Sequence, residues 1–596
     1  MKGQPIPTRP ADPFPAIPGH WDNDPTAQLR VLREEVARQL DFPSAQTSVF
    51  MAAARSALER LPADFFPTER AMALIDISRF YYLGVQSELA TEAAQEAVRA
   101  AVVGGHRVLE SRARARHAIS LRETYDFFSS IGELTRALEI AREEGDSEWE
   151  AKVLNSLGNS YSDAGLQLEA LSIFEQIASF FEKNGDRVSA WMALDNAALA
   201  ALRLGDIQRG TALAEKAKAV WPGEARTANE KLWVVQGALT KCQLLLEAER
   251  VEEAVACAHS AHAVSASSGL AQAETLAAIA EAITTFSAGS AGIDAIDRVI
   301  ARARAESPSQ YWSALDAAIR ILERAGQFDR ALALQRDLIA LNKEQKFEAV
   351  RRAMGRPSPE EADGAAKLVQ LGTAVDRKVT DLVNTAITQA LRAGHDHARI
   401  FRVSRLAELF TASVGSSPAR LQSIALAAKL IDIGMMVIPD DLLNKPRRLS
   451  DSERRIVEEH AKFGAEVLVR ARLAMLEPCI PVVKFHHERW DGTGAWALKD
   501  NGIPVDARVV ALCDSFDALT HERPWRSAFS VPTALRMIGE NAGSQFDPSL
   551  SERFIAWVQN EFWKVDDFEA HLAAEASENG YVKMRDRIQR LIRTAP

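Results

Sequence analysis

Five side chains in the last third of the chain stand where apolar residues are expected. Asp432 closes the helical run IALAAKLI, and Asp514 falls on the line of Ala507, Val510, Ala511 and Ala518 in ARVVALCDSFDALT. An ionised carboxylate on an apolar helical face is costly unless it is paired or bound to a metal. In LSDSERRIVEEHAKFGAEVL, Ser450 and Glu453 have capping-box spacing, and the four-residue step aligns Ile456, His460, Gly464 and Leu468. His460 therefore points inward. VVKFHHERWDGTG adds His486 and His487 before a glycine-rich turn. One histidine so placed is more often a core residue than a ligand. Two inward aspartates with three inward histidines form a ligand set, and neutral imidazoles with carboxylates suit Fe, Mn or Zn.

The elements that must hold these groups are helices. From Thr26 to Phe347, Ala, Leu, Glu and Arg dominate, and apolar residues recur at three- and four-residue steps. LNSLGNSYSDAGLQLEALSIFEQI places Leu157, Gly158, Tyr161, Gly165, Ala170 and Phe174 at fixed offsets. LDNAALAALRLGDIQRGTALAEKA echoes it about forty residues later, with Gly205 answering Gly165 and Gly210 answering Ala170. This string resembles the tetratricopeptide repeat, whose usual period is about 34. Paired helices that cannot bury their apolar faces alone stack into a solenoid, a partner- or peptide-binding surface. Its alternatives are an inert spacer or a dimerisation scaffold.

The sequence thus predicts an all-α protein, a tetratricopeptide-like helical solenoid followed by a helical bundle. The expected divisions are a proline-rich disordered lead-in (1–25), the repeat domain (26–347), a helical connector that could serve a homodimer contact (348–372), the bundle (373–552) and a C-terminal helical extension (553–596). The net charge of −10 gives no basis for DNA or membrane binding. The four cysteines form no CxxC pair and suggest a reducing, cytoplasmic home. No run approaches the ~18 apolar residues of a membrane span. The lead-in has no apolar stretch of signal-peptide type. The basic amphipathic tail ENGYVKMRDRIQRLIRTAP is expected to pack on the bundle.

The stretch from Gly394 to Pro548 resembles the HD-GYP family, bacterial phosphodiesterases of the HD superfamily that hydrolyse cyclic di-GMP. The matching pieces, in order, are AAKLIDIGMMVIPDDLLNKP, EEHAKFGAEVL, FHHERWDGTG, IPVDARVVALCDSFDALTHERPWRSAFS and FDP. The resemblance implies an all-helical bundle holding two or three Fe or Mn ions that activate water against a phosphodiester. It places catalytic and metal-binding roles on Asp432 and Asp514, further ligands on His460, His486 and His487, and phosphate contacts on Arg523 and Arg526.

The departures cluster. The histidine of the His-Asp pair is Ile431, the lysine after it is Met435, and the upstream histidine position holds Arg399. The preceding glutamate position holds His395, with His397 on the other helix face, and Gly-Tyr-Pro has become Gly494-Ala495-Trp496. One metal's ligand set is dismantled, whereas Asp432, His460, His486 and His487 keep the other. Arg399 is expected to stand in for the lost ion beside Asp432 and Asp514, the alternative being that it reaches to solvent. The expected function is therefore a signalling protein with one divalent ion, binding cyclic di-GMP or a related nucleotide with weak or no turnover, while the solenoid recruits a protein or peptide. The alternatives are an active phosphodiesterase with a rearranged site, using His395 or His397, and a pure scaffold. Trp490 and Trp496 could stack on a base or fill the bundle rim. Asp517 reads as a solvated or capping group, and Glu488 and Asp491 as supports of the turn.

Overall fold

The computed structural model describes residues 25–560 except 42–46, 61–64, 84–85, 124–125, 222, 224, 226, 307, 356–366, 397, 444, 446 and 523–525. The lead-in, most of the connector's middle, the basic tail, His397 and Arg523 lie outside these residues. Among the described residues all regular elements are helical, and no strand forms. The chain divides into two compact units between Asp163 and Ala164.

The first unit is a succession of antiparallel helices. Pro67–Leu83, Ser87–Val103 and Arg107–Glu123 pack one on the next around Leu74, Ile77, Ala93, Ala97 and Leu109. Alanine at the contact positions lets the backbones approach closely. The second unit opens in the same style. Gln167–Lys183 and Arg187–Arg203 are each 17 residues long. Each is followed by a three-residue link, which accounts for the forty-residue period. One link shows how the turn is made: Gly205 takes φ +75°, and Asp206 accepts a hydrogen bond from the Arg209 amide at 3.2 Å. Glycine ends one helix in the left-handed region and aspartate caps the next.

The helices that position the site are labelled here in chain order. They are α1 (Phe328–Gly355), α2 (Lys367–Arg392), α3 (Arg399–Ser413), α4 (Pro418–Leu430), α5 (Asp451–Glu458), α6 (His460–Ala471), α7 (Cys479–Phe485), α8 (Val505–Thr520), α9 (Val531–Glu540) and α10 (Pro548–Asn560). A 3-10 helix, Ile433–Val437, follows α4. Phe410 of α3, Phe516 of α8, and Phe554 and Trp557 of α10 form an aromatic cluster with centroids 5.1–5.8 Å apart.

Helix α1 belongs to both parts of the second unit. Ala331, Leu334 and Leu338 sit in the repeat core with Ala254, Ile279 and Leu315. Farther along, Asn342 and Phe347 are buried, Lys343 pairs with Glu466 of α6 at 2.8 Å, and the Arg470 guanidinium lies 4.5 Å from the Phe347 ring. The division expected between residues 347 and 348 falls inside this one helix.

Candidate metal centre

The 3-10 helix sits directly on α6 because two glycines meet there. A Cβ on Gly434 would lie 2.0 Å from the His460 carbonyl oxygen and 2.4 Å from the Gly464 nitrogen. Only the absence of that atom lets the segment after Asp432 approach so closely. Asp432 thereby reaches α6, with its Oδ1 3.6 Å from His460 Nε2.

His460 and His486 are buried, and their Nε2 atoms are 3.3 Å apart. His460 Nδ1 donates to the Val457 carbonyl at 2.7 Å, and His486 Nδ1 donates to the Val483 carbonyl at 2.9 Å. Burial, opposed by Asp432, lowers the His460 pKa, and burial with the neighbouring imidazoles drives His486 well below its ordinary value. Both rings are thus neutral with the proton on Nδ1. Their Nε2 lone pairs face each other with no proton between them, an arrangement a shared cation satisfies. His487 completes a group whose ligand atoms all lie within 4.8 Å of one another. Crowding by protein atoms, then His460, pushes His487 down to about 4, although its side chain faces solvent at the mouth of the site. The donor set fits a divalent transition metal.

On the opposite side of Asp432 stands Arg399, buried at the start of α3. Its Nη1 donates to Asp432 Oδ2 at 2.7 Å, and its Nη2 donates to Asp514 Oδ1 at 2.5 Å. Burial alone would depress its pKa, but the two carboxylates outweigh burial and raise it. The converse holds for Asp432. Burial opposes ionisation, yet Arg399, followed by His460 and His395, holds the carboxyl well below the usual range.

One turn farther along both helices the pattern recurs. Arg402 Nε donates to Asp517 Oδ1 at 2.6 Å and Nη2 to Oδ2 at 3.3 Å, while Nη1 reaches Asp396 at 2.9 Å. Asp517 is therefore buried and paired, contrary to the solvated or capping role expected. Arg399–Asp514 and Arg402–Asp517 are two rungs of a ladder locking α3 to α8. The matched three-residue steps were a signal in the sequence that could have revealed the second rung.

Residues 334–550 match the family described as HD domain. The second unit carries an HD domain.

Among curated relatives, the cyclic di-GMP phosphodiesterase response regulator RpfG of Xanthomonas campestris is 32% identical over 182 residues, 30% of this chain and 48% of that one. A cyclic di-GMP phosphodiesterase of Vibrio cholerae is 38% identical over 152 residues, covering 24% and 31%. A 3′3′-cGAMP-specific phosphodiesterase 2 of the same species is 28% identical over 186 residues, covering 31% and 35%. The chain spans less than half the length of each. Among solved structures, a Rap protein complexed with competence and sporulation factor aligns at TM-score 0.44 and 12% identity, over 55% of this chain and 88% of that one.

In the HD domain the remaining expected residues have these surroundings. Ile431 is buried at the position beside Asp432. The Arg526 guanidinium is engaged with backbone: Nη1 donates to the Leu519 and Ser527 carbonyls at 3.2 and 2.8 Å, Nη2 to that of Ala518, and the group lies 4.5 Å from the Phe529 ring. Glu488 is buried and accepts from the Trp496 and Leu498 amides at 2.7 and 2.9 Å, which pins the loop replacing Gly-Tyr-Pro. The Asp491 carboxyl is held down to about 2 by the Thr493 hydroxyl and amide. Trp496 is 38% exposed, with Lys484 Nζ 4.2 Å from its ring. Trp490 hydrogen-bonds through its amide to the Gln545 carbonyl, and the Arg508 guanidinium lies 5.5 Å from its ring. Among the described residues no helix is long and apolar enough to cross a membrane.

Proposed function

We propose that the HD domain is a cyclic-dinucleotide receptor of the cyclic di-GMP class with weak or no phosphodiesterase activity, and that the helical repeats bind a protein or peptide partner. The observation that carries the first part is the Arg399 bridge between Asp432 and Asp514. In the family pattern these carboxylates serve a second ion. A permanently protonated guanidinium neutralises them without offering a coordination site.

The residues that would hold one ion, Fe or Mn, are Asp432, His460, His486 and His487. When bound, such an ion supplies Lewis acidity toward a phosphoryl oxygen and lowers the pKa of bound water. The chain's own contribution is to fix the tautomers of His460 and His486 through carbonyl acceptors and to keep Asp432 anionic. It lacks the bimetallic clamp that stabilises both attacking and leaving oxygens. The exposed Trp496 face beside Lys484 supports base stacking next to a phosphate. Arg526 joins phosphate binding only if it leaves its carbonyl partners. The relatives' names support a cyclic dinucleotide as ligand, and four free cysteines fit a cytoplasmic protein.

An active enzyme is the second reading, favoured by the three-histidine cluster. Turnover of cyclic di-GMP with Mn or Fe, with His486→Ala/His487→Ala as the blank, decides between them. A receptor gives a rate within about tenfold of the blank and calorimetric binding of the nucleotide. A rate ~1,000-fold above the blank, a difference of about 4 kcal/mol in barrier, establishes the enzyme.

A further inference from the structure

We infer that Asn342 and Lys346 of α1, together with Arg392 of α2, are positioning residues for Asp432, so that the last helix of the repeats builds part of the metal site and carries the state of the repeats into it. This rests on the metal site proposed above and adds its regulation.

A helix end leaves its last carbonyls without amide partners. After Asp432 those carbonyls, together with Met435 O, which also accepts the Ile438 amide, are claimed by side chains from outside the segment. Met435 O accepts from Arg392 Nη1 at 3.1 Å, Met436 O from Lys346 Nζ, Val437 O from Asn342 Nδ2 at 3.3 Å, and Ile438 O from Arg392 Nη2 at 2.8 Å. Four consecutive carbonyls are thus held by three side chains. The Asp432 carbonyl accepts the Met435 amide at 2.9 Å, so the held segment and the ligand are one hydrogen-bonded turn. Its other face rests on α6 through Gly434 and Gly464. The turn is clamped, and Asp432 moves only if the clamp moves.

Both jaws of that clamp reach into the repeats. The first half of α1 is part of the repeat core. Arg320 pairs with Asp441, and Lys445 joins Glu323 at 2.6 Å to Glu453. Arg392 itself, which also binds Asp440, lies under a repeat turn: a Cβ on Gly165 would meet its Nε at 2.4 Å. Gly165 takes φ +84°. A half-buried amine and a buried amide are expensive to desolvate unless bonded, which makes these contacts specific. Burial, with Arg392 beside it and Asp440 opposing, brings Lys346 down to about 7.

The test uses the full chain. Calorimetric titration with Mn²⁺ is expected to show affinity falling at least tenfold, about 1.4 kcal/mol, in Asn342→Leu/Lys346→Met while the cooperative melt is kept. Lys346→Arg, which retains a donor, restores affinity to within about threefold, and Lys343→Met, on the same helix but facing Glu466, stays within about threefold of wild type. Equal affinity in the double variant and wild type overturns the inference. Should the double variant fail to fold, Gly165→Ser, which presses on Arg392 from the repeats, must lower Mn²⁺ affinity, and an unchanged affinity overturns it. If wild type binds no Mn²⁺, the proposed metal site fails separately. Metal-free hydrogen exchange of the 433–438 amides then decides: faster exchange in Lys346→Met, reversed in Lys346→Arg, supports the clamp, and identical exchange removes it.

Discussion

At the scale of residues, Arg399 is the decisive group. Removing it leaves two carboxylates facing each other, one of them buried. Arg399→Met is expected to destabilise the second unit by about 3–5 kcal/mol, read as a lower denaturation midpoint in the absence of metal. Arg399→His with Ile431→His returns imidazoles to both lost positions, and metal analysis should then find more than one Mn per chain instead of about one. The sequence made this much visible because the HD-GYP resemblance implies ligand roles position by position, so that a histidine, an aspartate or its replacement can be read in place. Arg402 and Asp517 were hidden because the HD-GYP resemblance gives neither a ligand role, and only their three-residue step beyond Arg399 and Asp514 marks them. The donors to Met436 and Val437 were hidden for another reason. Their acceptors are backbone carbonyls, which carry no residue signature.

At the scale of elements, close approach matters more than charge. Gly434→Ala places a methyl group where the His460 carbonyl stands. The 3-10 helix must lift from α6, and Mn²⁺ affinity should fall at least tenfold, about 1.4 kcal/mol, in calorimetry. Another prediction concerns the junction of Lys445, Glu323 and Glu453. Arg447 and Lys445 hold the folded Glu453 carboxyl below its ordinary value of 4.5 against burial. A depressed folded pKa contributes stability that is present above the unfolded value and disappears as the pH falls through the folded one. Melting temperature should therefore drop as the pH falls below about 4.5, and Glu453→Gln should lower the plateau near neutrality while flattening that acid slope. Helix periodicity and turn glycines made the elements themselves legible, since both are local. The packing of Gly434 on Gly464 was not, because a glycine in sequence does not say what it makes room for.

At the scale of the molecule, the HD domain and the repeats share a helix. The sequence reading places the start of the bundle at residue 373, and the family match begins at residue 334, inside α1. A chain beginning at Lys367 lacks Asn342 and Lys346. It should fail to bind Mn²⁺ and expose apolar surface to a hydrophobic dye, whereas a chain beginning at Ala164 should retain both metal and cooperative unfolding.

The continuity of α1 over 28 residues has a geometric corollary. Each residue added to a helix turns everything beyond it by about 100° and advances it ~1.5 Å. One alanine inserted between Leu338 and Asn342 swings the amide and the amine off their acceptors. Four alanines bring the bearing back to within ~40°, at the cost of some 6 Å of travel. If orientation governs the ligand's placement, metal binding will fail with one inserted residue and partly return with four. The register of a single helix would then work as a dial between what the repeats hold and what the cation finds.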